Sequence, residues 1–478
     1  MIPDRSDPVA TLLARDHFGI KLGLDNIRAL CDELGHPERA APAVIVAGTN
    51  GKGSVTAWVS AALANAGFRT GRYTSPHLVR LEERFAIDGC AVETDPLAGA
   101  LAAVLAAERR CRADGRLPVA ATFFELTTAA AFELFRRAGV EVMVLEVGLG
   151  GRFDATNVVE PVAGAITTVD LDHVAHLGGT IEQIAFEKAG VIKPGRTFVV
   201  GESKPEALAV IERVAAAQGA TIVRAADGAR VTVVLREGRT WATIETPVRA
   251  YGEVALALGG RHQACNALIA VRVLEALEDR GWKVGRDSIR RALADADWPG
   301  RLQTVRLAGG KRLLLDAAHN PAGAAALASY LGEAWPGRPP LVFGAMRDKD
   351  TDAMLATLSP AVGRIVFTAP ALARARPPAE LLARLCALGL GNQGESADTT
   401  PAALAQALRD ADGAVVAGSI FLLGEVLAWL GSDPGREWQA RALVSRRSAG
   451  GSSSTVPTGD CSDMRARFGR RHHQAPTP

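Results

Sequence analysis

Lys52 sits in Ala47–Val55, AGTNGKGSV, between an apolar strand and an Ala-rich helix. Gly48, Gly51 and Gly53 let the backbone turn tightly, so that its N–H groups can face an anion. The helix N-terminus adds its dipole, and Lys52 adds a point charge for terminal phosphates. The candidate phosphate-binding residues are therefore Asn50, Gly51, Lys52, Gly53 and Ser54. The spacing departs from GxxxxGK[ST]: the first Gly lies only three residues before Gly51, and Gly53 separates Lys52 from Ser54. A glycine turn with an incidental lysine is the plain alternative, and the strand–loop–helix setting favours phosphate. Glu146 ends a second apolar run, VMVLEVG (142–148). An acid there faces the crevice at the carboxyl ends of a sheet, where α/β proteins bind ligands.

The elements that must hold these residues alternate in type. AVIVAG (43–48), VMVLEVG, AGAITTVD (163–170) and RTFVVG (196–201) are strand-length and β-branched. Helical stretches such as 54–67 and 124–139 lie between them. This alternation predicts an α/β domain with a mainly parallel sheet. Residues 220–257 alternate around a Gly-containing turn and predict an antiparallel β insertion before a helix at 262–280. Trp-Pro-Gly (298–300) breaks the pattern, and a second α/β unit follows from KRLLLDAAHN (311–320) to GAVVAGSIFLLGEVL (413–427). The expected division is 1–297, 298–435 and a disordered, Ser/Gly/Pro/Arg-rich tail at 436–478.

A chain of 478 residues suits two cores. A net charge of +2 gives no reason to expect nucleic acid or membrane as a partner. The six cysteines are scattered, with no pair at CxxC spacing, which predicts reduced thiols in a cytoplasmic protein. The N-terminal stretch has acids early and no apolar core, so no secretory signal is expected. No run of about 18 uncharged apolar residues predicts a membrane span.

GTNGKGS resembles the ATP loop of the Mur ligase superfamily, and RYTSPHL (72–78) resembles its folylpolyglutamate synthase branch. Further matches follow in that branch's order: FFELTTAAAF (123–132), LEVGLGGRFDATN (145–157), TTVDLDHVAHLG (167–178), IAFEKAGVIKPG (184–195), GRHQACN (260–266), WPGRLQ (298–303), DAAHNPAGA (316–324) and GSIFLLGEV (418–426). The resemblance implies a P-loop N-terminal domain, a smaller Rossmann-like C-terminal domain and an active site between them. It implies ATP-dependent joining of L-glutamate to dihydropteroate and to folates through an acyl phosphate. Such chemistry builds negative charge on phosphoryl and carboxyl oxygens, which cations set in place beforehand stabilise.

By the same resemblance, Ser75 and Glu146 hold one Mg²⁺ and His173 is a ligand of a second metal ion, while His176 is structural or supports a ligand. Lys188 resembles the lysine that family members carbamylate; a helix-surface lysine paired with Glu187 is the plain alternative. Asn266, Arg301 and Asp316 are implied to contact ATP, with His319 near the reacting carboxylate or glutamate. Ser419 is a candidate for glutamate and equally for a helix cap. On the pterin side stand Gly23, Leu24, Asp25, Phe123, Phe124, Phe153, Asp154 and Ala155, although aromatics in apolar stretches are more often core. The expected protein is a monomer. Rival readings are a folylpolyglutamate synthase alone, another Mur-type amino-acid ligase, or a non-catalytic nucleotide-binding protein.

Overall fold

A computed structural model describes residues 7–15, 23–335, 337–433 and 435–436. The expected disordered tail, apart from its first residue Arg436, lies outside them.

The large sheet contains β1 (Ala43–Ala47), β2 (Thr70–Tyr73), β3 (Phe85–Ile87), β4 (Cys90–Ala91), β5 (Val142–Glu146), β6 (Pro161–Ile166), β7 (Thr197–Val200) and β8 (Thr221–Arg224). Their order is β4-β3-β2-β5-β1-β6-β7-β8. Strands β2 to β8 in that order pair in parallel, and β3 and β4 add an antiparallel edge. Every residue of β1, β5 and β6 is buried, as continuous apolar runs with helices on both faces require. After β1 the chain crosses to β2, and after β5 it crosses the other way to β6. This reversal opens a crevice at the strands' carboxyl ends.

Register aligns those ends. Val46 of β1 lies opposite Glu146 of β5 and Ala165 of β6, and Tyr73 of β2 lies opposite Leu145. The segments following β1, β2, β5 and β6 therefore leave side by side.

The antiparallel insertion is shorter than expected. Residues 221–224 complete the large sheet as β8, parallel to β7. The insertion is β9 (Arg230–Arg236), β10 (Arg239–Glu245) and β11 (Ala250–Ala255), whose alternating burial lays one face on the body. Four residues of TIVR carry too little periodicity to reveal their partner.

The second sheet contains β12 (Gln303–Arg306), β13 (Arg312–Leu315), β14 (Leu341–Phe343), β15 (Ile365–Phe367), β16 (Gly394–Ser396) and β17 (Gly413–Ala417). Its order is β12-β13-β17-β14-β15-β16, parallel except for the β12–β13 pair. Apolar clusters lie on both of its faces. Among the described residues, no helix is long and apolar enough to cross a membrane.

Candidate active site

The loop after β1 is held open by its surroundings. Gly48 has φ +146°, and a Cβ there would lie 1.8 Å from Thr167 Oγ1. Gly51 has φ +84°, and a Cβ there would meet Asn266 Oδ1 at 2.3 Å. A Cβ on Gly53 would enter the Trp298 ring at 2.5 Å. The three glycines thus serve close approach as well as turning. Gly51 caps helix Lys52–Asn65 without a side-chain hydrogen bond, so the first N–H groups of that helix stay available to an anion. Asn50 Nδ2 and Ser54 Oγ are buried and without partners, as groups awaiting a ligand would be.

Lys52 Nζ donates to the carbonyls of Gly48 and Thr49, at 3.0 and 3.1 Å. Burial pulls its ammonium below its usual pKa, while Glu146 and Asp172 pull upward. Glu146 is 5% exposed; its Oε2 accepts from the Ser75 N–H at 3.1 Å. Burial pushes that carboxyl above its usual range, against the pull of Lys52, the Ser75 N–H and Arg301. Arg301 follows Trp298-Pro299-Gly300, and its charge reaches Lys52, Glu146 and Asp316. Asp316 holds that turn: its Oδ2 accepts from Leu302 N and its Oδ1 from Ala318 N, both at 2.9 Å. Leu302 takes the left-handed region, φ +47°, which a bulky residue adopts only when its surroundings impose it. Asn266 Nδ2 donates to Gln263 Oε1, which sets its Oδ1 against the loop.

Lys188 is 3% exposed, and Glu187 pairs instead with Arg152 at 2.6 Å, so the surface-pair alternative fails. Burial, then the charge of Lys52, bring the Lys188 amine down to about 7. The helix end that carries it is seated on the turn after β5. Arg152 N donates to Glu187 O, and Asn157 Nδ2 donates to Gly190 O.

His173 also adopts a left-handed backbone, φ +51°, at the start of a one-turn helix. Its ring is 37% exposed on one side; protein packed on the other draws its pKa down to about 4 despite Asp172. The imidazole is therefore neutral at pH 7 and free to offer a lone pair. His319 Nδ1 lies 2.8 Å from Ala317 O, so Nδ1 carries the proton and Nε2 points onward. The His176 backbone N–H closes the turn onto His173 O, and its side chain is exposed.

The donor set suits a hard divalent cation with an incomplete protein shell. Among the described residues no three His, Cys, Asp or Glu side chains gather. Ser75 and Glu146 can offer oxygens, and His173 a nitrogen. Phosphate oxygens and water would complete the coordination, as Mg²⁺ sites commonly require.

The pterin-side candidates separate. Asp154 is spent on its own turn: its Oδ1 accepts from Thr156 N and Oγ1, and its Oδ2 from Leu149 N. Ala155 begins the buried turn that Asp154 caps. Phe123 is buried with the Arg84 guanidinium 5.0 Å from its ring centre. Phe124 is partly exposed and lies against Gly148. The Arg152 guanidinium lies between Phe153 and Phe186, at 4.2 and 4.9 Å. Gly23, Leu24 and Asp25 lead into helix Asp25–Glu33. Ser419 is buried and caps helix Ile420–Gly431, accepting from Phe421 N at 3.2 Å. Sequence reasoning passed over Asp172, Trp298, Asn320 and Lys349. DLDH and DAAHNP carried the signal for the first and third; Lys349 had only the charged run RDKD after an apolar strand.

A family model for the Mur ligase middle domain matches residues 98–274, and one for the Mur ligase glutamate ligase domain matches 300–420. The dihydrofolate synthase/folylpolyglutamate synthase of Mycobacterium tuberculosis is 34% identical over 475 residues, covering 90% of this chain and 96% of its own. The chain belongs to the dihydrofolate synthase/folylpolyglutamate synthase family of Mur ligases. The solved M. tuberculosis folylpolyglutamate synthase complexed with ADP and AMPPCP superposes with a TM-score of 0.82 at 33% identity, covering 89% of this chain and 100% of that one. A Yersinia pestis bifunctional synthase of the same family, complexed with AMPPNP and a manganese ion, gives 0.78 at 32% identity, covering 90% and 100%. The two-sheet arrangement described above is that of this Mur-ligase family.

Proposed function

We propose that this chain is an ATP- and divalent-cation-dependent ligase that joins L-glutamate to dihydropteroate, forming dihydrofolate, and extends folyl glutamates by the same chemistry. The observation that carries this reading is the gathering of Lys52, Arg301 and Lys188 around the buried Glu146 and Asp172, beside a loop with orphaned donors. The loop N–H groups from Gly51 to Ser54 and Lys52 hold the terminal phosphates, with the Asn50 N–H donated to Thr168 Oγ1, and Arg301 approaches from the linker. Asn266 and Asp316 complete the nucleotide site. The substrate carboxylate takes the γ-phosphoryl group to form an acyl phosphate, and the glutamate amine displaces phosphate. A divalent cation held by Ser75 and Glu146 would neutralise the phosphate oxygens, and a second, held through His173, would accompany it. In its unprotonated form, available near pH 7, the Lys188 nitrogen can bond to CO₂ and release a proton to solvent, which would leave a carbamate anion beside those cations. His319 presents Nε2 to the reacting carboxylate or to the incoming glutamate. Leu24, Phe124 and Ala155 offer the flat ring its apolar contacts, with Asp154 shaping the turn behind them. We place the working division of the chain at 297/298, and take the protein to act as a cytoplasmic monomer without nucleic-acid or membrane partners.

The test supplies ATP, Mg²⁺ and glutamate with dihydropteroate, with reduced folates, or with a cell-wall nucleotide acceptor. ADP release should require glutamate and a pteroate or folate, and mass spectrometry should show successive glutamates added. Turnover confined to the cell-wall acceptor would replace this reading with another Mur-type ligase. Absence of turnover with every acceptor would favour a nucleotide-binding protein.

A further inference from the structure

One carboxylate joins the two halves at the candidate site. Asp172 Oδ1 lies 2.6 Å from Lys349 Nζ. Asn320 Nδ2 stands 3.3 Å from Asp172 Oδ2 and 3.0 Å from Asn50 Oδ1, so one amide spans the phosphate loop and the Asp172 loop. His319 Nε2 is 3.8 Å from the same Oδ2. On its own loop, Asp172 Oδ1 accepts from the His173 N–H at 2.9 Å. Lys349 and Asp172 are each 9% exposed and 177 residues apart in sequence. Other bridges across the halves run from Arg261, at the start of helix His262–Glu278, to Glu333, and from Tyr330 Oη to Gly238 O in the antiparallel insertion.

A desolvated ion pair adds little net stability over an apolar pair, and losing Asp172 leaves Lys349 only Asp348, half-exposed and 3.5 Å away. Its value here is geometric. With the pair intact, Asp172 is fixed between the halves, and through it His319 and Asn320 are set against the loop that carries Lys52. We propose that Lys349 is a positioning residue that acts through Asp172, and that their ion pair latches the C-terminal half over the phosphate loop so that His319 and Asn320 reach their working places. This inference rests on the ligase reading above and adds to it the element that assembles the site. Closure of this kind brings catalytic groups together and excludes water.

The test is a double-mutant cycle with two readouts. Lys349→Met and Asp172→Asn are measured singly and together, and Lys349→Arg retains the charge. The first readout is kcat and KM; the second is the distance between dyes on the two halves, with and without AMPPNP and Mg²⁺. Each single variant should lose roughly tenfold or more in kcat, and the double variant should be no worse than the weaker single, since contacting residues couple. Nucleotide affinity by calorimetry should weaken only by the share that closure contributes, since a ligand that drives closure binds the closed form more tightly, and thermal melting shows that each variant has folded. Lys349→Arg should recover most of kcat. The dye distance should shorten with AMPPNP in the natural protein and in Lys349→Arg, but not in Lys349→Met. Additive losses would overturn the latch, as would normal closure in an inactive Lys349→Met protein. A glutamate KM that rises on adding Lys349→Met to Asp172→Asn would overturn it in favour of direct substrate contact. If the natural protein closes on AMPPNP but turns over no pteroate or folate, the proposed function fails while the latch stands.

Discussion

The turn Gly48–Ser54 follows β1, and the turn Gly148–Asp154 follows β5 on the adjacent strand. Both are rich in glycine, and both lie at the crevice. In the first, Lys52 finds only two backbone carbonyls, while Asn50 Nδ2 and Ser54 Oγ find nothing. In the second, each charge is met within the chain: Asp154 by Leu149 and Thr156, Arg152 by Glu187 and two phenyl rings. A Cβ on Gly151 would lie 2.8 and 2.9 Å from the carbonyls of Glu187 and Lys188, so this turn is the seat of the Lys188 helix. One backbone device therefore serves two ends. Unmet donors beside the phosphate-binding lysine leave room for a ligand to meet them, whereas Thr56 Oγ1 and Trp58 Nε1, equally unmet, lie deep in the core behind the loop. A self-satisfied turn contributes shape and position.

Lys52→Ala breaks the first turn's side of this contrast most sharply. The fold should survive, while kcat falls by on the order of 10²–10³, the usual cost of losing one charge-stabilising group. Thermal melting and single-turnover ADP release check the two halves of the expectation.

Lys188 tests whether the second turn positions chemistry. Lys188→Ala should be nearly inactive and partly restored by acetate or formate, because a carbamate contributes a negative group. Lys188→Arg keeps a cation that cannot form the carbamate, and it too should be poorly active. Rescue by amines would point to an ammonium instead. The lysine also carries a pH signature. Its folded pKa of about 7 lies below the ordinary lysine value of 10.5, so the folded chain binds fewer protons between them. Stability relative to Lys188→Met should therefore rise as pH climbs from 7 towards 10, by up to about 1.4 kcal/mol per unit, fall back over the same range as pH drops, and level off below 7, where both states are protonated. Chemical denaturation of both proteins at pH 7 and 9, in CO₂-depleted buffer, reads the difference.

Glu146→Gln should displace the Mg²⁺ titration of activity to higher concentration, by about tenfold or more, without emptying the core. A titration overlaying that of the natural protein would move the cation elsewhere.

The smallest effect is expected at Asp154. Asp154→Ala removes the acceptor for three donors and should cost about 1–3 kcal/mol of stability. Urea unfolding measures this cost. The KM for dihydropteroate should rise while that for ATP holds. An equal rise in both would erase the distinction between the two turns.

By itself, the sequence determined the alternating strands and helices, the glycine loop with Lys52, and the acid at the end of β5. Each is a local matter: the period of burial, the freedom of glycine, and a charge at the end of an apolar run are written in consecutive residues. Only tertiary structure decided what depends on partners distant in the chain. Residues 221–224 joined the large sheet because β7 offered a parallel edge, which four residues cannot announce. Asp154 and Ser419, both candidates for ligand contact, spend their oxygens on nearby backbone N–H groups once the turn and helix form. Lys188 leaves the surface because the turn after β5 closes over its helix end, and burial then lowers the pKa of its amine. Lys349 meets Asp172 only when two sheets, formed from separate stretches, lay their carboxyl ends together.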